Sequence, residues 1–433
     1  MTRRFILTRT KELLRALGIC TLLGLAAIPA FSGSIAMESE TAVRSFERVT
    51  GSGTNKQVAP VYEYMRLDVE EIGSQFLSFH AYGWGRLDAA NSGYYDHQGG
   101  GELIYGYLEL ADSYQDRSLR LGRQHVFEGV ADDSIDGVRA RTDLGDQFSV
   151  SAYGGLPLGL DDVPGRGGDS IWGGRLSHRF KAYSDVGLSY KTMKDDGSTV
   201  SSMLGVDSSF LLPFGMSLYG NSVRNMETSG WAEHNYELRI DAGKFTVCPL
   251  FELFRYDDYF GAKAPAKGPF LSMADSDERL RVVGANLDWR RSTSWNFGAK
   301  AKSYSYDLDG SAWYASASAD WFGKSLAQAG GEVGRMQGVD ADKKYLLMRI
   351  YCYMDRLAEA VWADFISADL LYTLYDEAIY GKDYACCVSV GSGKRYFGDK
   401  LEVRISADYS ADPYFNSDIR AMMTVVYRFS AGF

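Results

Sequence analysis

Proline is scarce in this chain and cysteine scarcer, at nine and five residues among 433. So few cysteines exclude a disulfide-built scaffold. No C-x-x-C-H run occurs, so the chain attaches no c-type haem of its own. A basic excess is missing too. Lys and Arg number 46 against 56 Asp and Glu, net -10, which argues against nucleic acid as a partner because phosphate binding needs cations. Beyond residue 36 no apolar run approaches the ~18 residues of a membrane-crossing helix. The histidines, His80, His97, His125, His178 and His234, fall at no short metal-ligand spacing, so neither a zinc site nor a resident cofactor is expected.

What the chain does have is aromatic side chains, 29 Tyr, 22 Phe and 8 Trp, together with 47 glycines, at a mean hydropathy of only -0.22. Its first 36 residues have the plan of an export signal. Arg3, Arg4, Arg9, Lys11 and Arg15 form a basic head, an apolar stretch runs from Ala16 to Ile28, and Pro29 and small residues follow. Ser34 and Ala36 suit the recognition positions of a signal peptidase, so cleavage is expected after Ala36. Cys20 sits inside the apolar run behind Ile19, which does not fit a lipoprotein signal. Removing five basic groups and one acidic group leaves 41 and 55, a net charge of -14. The domain reading is therefore a signal over 1–36, a polar periplasmic segment over 37–61 containing Gly51-Ser52-Gly53, and a barrel over 62–433.

The barrel expectation rests on alternation. From Leu401 to Tyr409 one face reads Leu401, Val403, Ile405, Ala407 and Tyr409, and the other Glu402, Arg404, Ser406 and Asp408. Trp313, Ala315, Ala317, Ala319 and Trp321 oppose Tyr314, Ser316, Ser318 and Asp320 in the same way. Period-2 alternation is the pattern of a strand with one face in an apolar medium and one in water. Such segments recur nearly to the end of the chain with no helical block between them. Aromatics such as Trp313 and Trp321 close the apolar face at both ends, as interface girdles do.

At the C-terminus the apolar face reads Ile419, Ala421, Met423, Val425, Tyr427, Phe429, Ala431, Phe433. This resembles the terminal strand signature of bacterial outer-membrane β-barrels of the porin-like family. The resemblance implies that Tyr427, Phe429 and Phe433 form an assembly signal read by the barrel assembly machinery, and that lipid of the outer membrane surrounds the chain. The fold class expected is all-β: a transmembrane antiparallel up-and-down β-barrel. Twenty-one segments alternate, an odd number, where single-chain bacterial barrels use an even one. The least convincing is Tyr62–Gly73, and 18–20 strands are expected. Proline gives an independent check, being excluded from paired strands. Only Pro249 falls inside an alternating segment, where it predicts a bulge or a break.

Few motifs suggest chemistry. Gly391-Ser392-Gly393-Lys394 lacks the earlier glycine of a phosphate loop, since position 388 is Val. Asp132, Ser134, Asp136, Gly137 and Asp143 approach a calcium-loop spacing, but turn chemistry explains Asp136-Gly137 equally well. Asp96 beside His97 is the single adjacent Asp–His pair, and it reads as a solvated loop, so no enzymatic activity is expected. The informative set is the polar face of the strands. By parity Glu233, Glu237, Arg239, Asp241, Lys300, Lys302, Arg349, Glu402, Arg404, Asp408, Arg420 and Arg428 line the lumen. Opposed acids and bases there would create a transverse field, or would merely pair along the wall; the latter fits most of them.

The resulting expectation is a porin-like channel for passive passage of small polar solutes or ions. A second resemblance covers a small part of the chain. Leu119-Arg120-Leu121-Gly122-Arg123-Gln124, Asp136-Gly137-Val138 and Tyr153-Gly154-Gly155 resemble the porin-like barrels of porin–cytochrome conduits. That resemblance implies a barrel sheathing a multihaem c-type cytochrome for transmembrane electron transfer, with the partner carrying the haems. The connection Asp257–Asp277, the longest between strands, is expected outside the membrane, with an inward constriction as its alternative.

Overall fold

The computed structural model describes residues 33–432 apart from 50–54, 91–92, 113, 115, 159–167, 181–182, 261–276, 324–326, 356–362 and 415–416. Most of the expected export signal, and Phe433, lie outside the described residues. Strands make up nearly everything else. In order they are β1 Ser34–Val49, β2 Asn55–Val58, β3 Pro60–Glu70, β4 Leu77–Asp88, β5 Gly99–Ala111, β6 Arg117–Glu128, β7 Ala131–Leu144 and β8 Phe148–Pro157. There follow β9 Ser170–Phe180, β10 Ser184–Asp195, β11 Ser198–Leu212, β12 Met216–Asn225, β13 Trp231–Ala242, β14 Phe245–Arg255, β15 Arg279–Arg290 and β16 Trp295–Tyr306. The last are β17 Gly310–Phe322, β18 Gln328–Gln337, β19 Tyr345–Asp355, β20 Phe365–Ile379, β21 Lys382–Tyr396, β22 Leu401–Ala411 and β23 Asp418–Gly432.

Each strand pairs antiparallel with its neighbour in the chain, and β1 pairs with β23 through thirteen residue pairs from Ser34↔Gly432 to Phe46↔Arg420, so the sheet closes on itself. β2 and β3 lie on β1 in one continuous register, Phe46↔Val58 above and Val43↔Val61 below. They are a single stave, interrupted around Ala59 and Pro60, where proline supplies no N–H for the ladder. The 23 elements thus build a closed barrel of 22 staves, even as closure by hairpins requires.

The expected 18–20 strands is therefore too few. The 21 alternating segments all form strands, Tyr62–Gly73 included (β3), and parity is restored by adding a stave rather than deleting one. The added stave is β1, in the stretch read as a polar periplasmic segment over 37–61. Its outward positions interleave Ser39, Thr41 and Ser45 with Ile35, Met37 and Val43, so its alternation is faint. Ser39 and Thr41 both donate to the Glu63 carboxylate at 2.5 Å, which satisfies a charge on the outward side of β3. Pro249 also departs from expectation. On the β15 side the ladder runs through it without a shift (Pro249↔Ala285), and on the β13 side pairing lapses between Glu237↔Leu250 and Ile240↔Val247 with the register unchanged. The missing N–H removes rungs but makes no bulge.

Directly paired residues point to the same side of a sheet. Carried around by register, one side presents Val283, Val333, Ile350, Ile405 and Ile419, each more than half exposed. Exposed isoleucine and valine in such number belong against hydrocarbon rather than water. Trp313 and Trp321 share that face at opposite ends of β17, eight residues or roughly 27 Å apart along the strand. Around Trp321 the girdle continues through Trp295, Phe297, Trp289 and Phe245, with successive ring contacts of 5.9, 5.4 and 6.0 Å from Trp295 to Phe245.

Candidate functional site: a hairpin folded into the lumen

The opposite side of the sheet is concave, and there side chains meet that strand order alone would keep apart. Arg175 of β9 reaches across β10 to bond Asp207 of β11 at 3.0 Å, while also bonding Asp185 at 3.0 Å. Against this inner wall lies the tip of the β6–β7 hairpin. A 22-stave lumen is wide, roughly 40 Å between opposite backbones if circular, and the tip fills part of it.

Glycine makes the turn inward. Gly122 has φ of 129°, a conformation other residues avoid, and pairs with Gly137. A Cβ on Gly137 would stand 2.2 Å from the Gly154 carbonyl oxygen and 2.7 Å from the Gly155 Cα, so β7 and β8 approach here as only glycine allows. The Arg123 guanidinium clamps the hinge, bonding both oxygens of Asp136 at 2.8 and 3.0 Å and the Leu103 carbonyl at 2.9 Å. These are the L-x-L-G-R-Q, D-G-V and Y-G-G stretches that carry the second resemblance. Their residues are spent on bending a hairpin.

Beyond the hinge the tip has two faces. Val126, Ala131 and Ile135 turn to the wall and are buried with Tyr153 of β8 and Ile171 of β9, Met193 of β10 packing beside them. Burying Val126 and Ile135 alone contributes on the order of 4 kcal/mol. Polar contacts fix the position. The Val130 amide donates to the Ser189 hydroxyl at 3.1 Å, and Lys191 of β10 bonds Asp133 at 2.9 Å with both side chains largely buried. Glu128 reaches back along the barrel to Arg139 (2.8 Å from Nε) and accepts from Ser151. Gly205 of β11 leaves the space that Val130 occupies.

The other face looks into the open lumen. His125 bonds Asp132 at 2.8 Å and Ser134 at 3.2 Å, and Phe127 is 79% exposed. Asp132, Ser134 and Asp136 therefore serve the hairpin, His125 and Arg123, and the calcium-loop spacing reflects strand geometry. From another side comes the short helix Tyr256–Phe260 at the start of the longest connection. Its Asp258 accepts from Thr228 at 2.6 Å, and the Asp258 carbonyl accepts from Asn225 at 2.7 Å, which ties it to the β12–β13 turn. Burial raises the Tyr259 phenol, and Glu233 and Asp132 are near enough to raise it further. Residues 261–276 of that connection, expected outside the membrane, lie outside the described residues.

The twelve residues taken from sequence as lumen-lining all fall on the inner face by register. They do not converge. Arg239 pairs with Asp241, Arg349 with Asp369, Arg404 with Glu402, and Arg420 with Asp418, each within one strand or to a neighbour, and Lys302 of β16 reaches across β15 to Glu252 of β14. Arg428 bonds Glu38 at 2.8 Å across the closing seam. Glu233 accepts from Asn221, while Glu237, Lys300 and Asp408 form no ion pair among the described residues. The charges line the wall rather than span it. Tyr427 and Phe429 lie on the outward face, and the third member of the expected assembly signal, Phe433, is outside the described residues. His97 offers its carbonyl to Arg86 at 3.3 Å. Alternation over 117–126 and 136–142 leaves residues 127–135 as a connection in sequence, so the docking of the tip is not legible there; the glycines at 122, 137, 154 and 155 are its available signal.

No family model matches the chain, and no curated protein matches it. Solved structures similar to it include Acinetobacter baumannii OccAB4 (9% identity, TM-score 0.45, covering 92% of this chain and 98% of that one). Pseudomonas aeruginosa OccK2 (OpdF) in complex with glucuronate is 11% identical at TM-score 0.45, covering 93% and 100%. The outer membrane protein opdK of the same organism is 10% identical at TM-score 0.45, with the same coverage. The closed antiparallel barrel of this chain rests on its own strand pairing.

Proposed function

We propose that the chain is an outer-membrane channel for passive passage of small polar solutes or ions, its bore set by the docked β6–β7 tip. The observation that carries this is the pairing of an apolar outer face with a charged inner face that holds a hairpin whose polar side is turned to open lumen. Water fills such an interior, since its carboxylates and guanidiniums need solvation. Export by a signal cleaved after Ala36, insertion by the barrel assembly machinery and a surround of outer-membrane lipid belong to the same reading. The sheath alternative gains no support, because the residues that suggested it form the hinge and the chain's own hairpin occupies lumen. The purified barrel in planar bilayers should give ohmic single-channel steps. Silence at every voltage, with a haem-bearing protein co-purifying, would favour the sheath.

A further inference from the structure

The inner wall formed by β3, β4 and β5 differs from the rest of the lumen in carrying rings. Register places Tyr64 beside Trp84, Tyr82 beside Tyr105, and His80 beside Tyr107 in successive inward rows. Ring centroids lie 6.2 Å apart for Tyr62 and Trp84, 5.7 Å for Tyr82 and Tyr105, and 5.8 Å for Tyr105 and Tyr107, with Trp84 and Tyr82 two residues apart on the inner face of β4. At the upper end Tyr62 bonds Tyr95 of the β4–β5 connection, hydroxyl to hydroxyl at 3.1 Å. At the lower end Tyr107 pairs with Gly122, the hinge of the inward hairpin. The strip thus descends roughly 20 Å from the loop rim to the constriction.

Its polar margins are balanced. Glu40 and Glu102 flank the Tyr64–Trp84 row and form no ion pair among the described residues. Arg44 lies 5.0 Å over Tyr62 and Arg120 lies 5.1 Å over Tyr107. An organic cation stacking on these rings would meet the guanidiniums, and an aromatic acid would meet the carboxylates. A neutral polyhydroxylated ring is opposed by neither: its C–H face lies on an aromatic face, and its hydroxyls find donors and acceptors at both margins.

Taking the channel reading as given, we propose that this strip is a slide for neutral oligosaccharides, which move from ring to ring toward the constriction. The test is single-channel current through the full barrel in planar bilayers, titrated with maltohexaose and with cellohexaose, and separately with choline and benzoate. Resolved current blockades by at least one hexasaccharide are expected. Tyr82→Ala with Tyr105→Ala should shorten them roughly five- to tenfold per ring removed, while Tyr219→Ala, an inward ring on β12 outside the strip, should leave them nearly unchanged. Folding of each variant is checked by heat-modifiable migration. The inference is overturned if neither hexasaccharide interrupts an open current, if only choline or benzoate does, or if a folded double variant blocks like the parent. A barrel that never conducts would sink the channel reading instead. Quenching of tryptophan fluorescence by the hexasaccharides in detergent, lost in Trp84→Phe and weakened in the double variant, would then decide the slide by itself.

Discussion

Asp133 and Lys191 are the residues on which the docked hairpin depends most individually. Both are largely buried, so removing one leaves an uncompensated charge against an apolar patch, a loss of about 3–5 kcal/mol. That is comparable to the apolar burial of the tip. Asp133→Asn should therefore free the tip, and limited proteolysis of the purified barrel should cut near residues 127–132 where the parent resists. An unchanged protease pattern would mean the pair is not a latch. Gly137→Val is a harsher probe, since its side chain meets the Gly154 carbonyl at a distance no packing tolerates. Loss of the heat-modifiable folded species is expected, whereas Gly197→Val, in a turn with nothing within 4 Å of an added Cβ, should cost only its φ of 79°.

At the scale of elements, sequence legibility followed burial contrast. Segments such as Leu401–Tyr409 and Trp313–Trp321 face lipid on one side and water on the other, so alternation marks them and the structure has them as β22 and β17. β1 escapes because Ser39, Thr41 and Ser45 soften its outer face. The tip of β6–β7 escapes for the opposite reason. Val126, Ala131 and Ile135 are buried against the protein's own wall, which no rule tying apolar faces to lipid anticipates. Parity gathers the charged residues on one face of their strands, yet it is silent on partners, and Arg349–Asp369 and Arg428–Glu38 become visible only with register. A direct check of the element follows from Gly205, whose added Cβ would stand 2.3 Å from a Val130 methyl. Cysteines at both positions, in a background with the native cysteines replaced, should form a disulfide on oxidation. A tip standing above the rim would leave both thiols free.

For the whole molecule, closure by β1 on β23 means that the first stave is indispensable. A chain beginning at Asn55 should accumulate unfolded, because it leaves β23 and β3 as open edges that hydrocarbon does not tolerate. Mass spectrometry of the exported protein bears on the same seam. Cleavage after Ala36 gives Met37 as the first residue and shortens β1 by the three pairs to Gly432, Ala431 and Ser430, still leaving ten. The account's central claim is that a hairpin of the chain itself narrows an otherwise wide aqueous barrel. Single-channel conductance of the parent is therefore to be compared with that of a variant in which residues 124–135 are replaced by Gly-Gly. The account predicts ohmic steps in both, several-fold larger in the variant. Equal conductances, from two barrels that both fold, would contradict it.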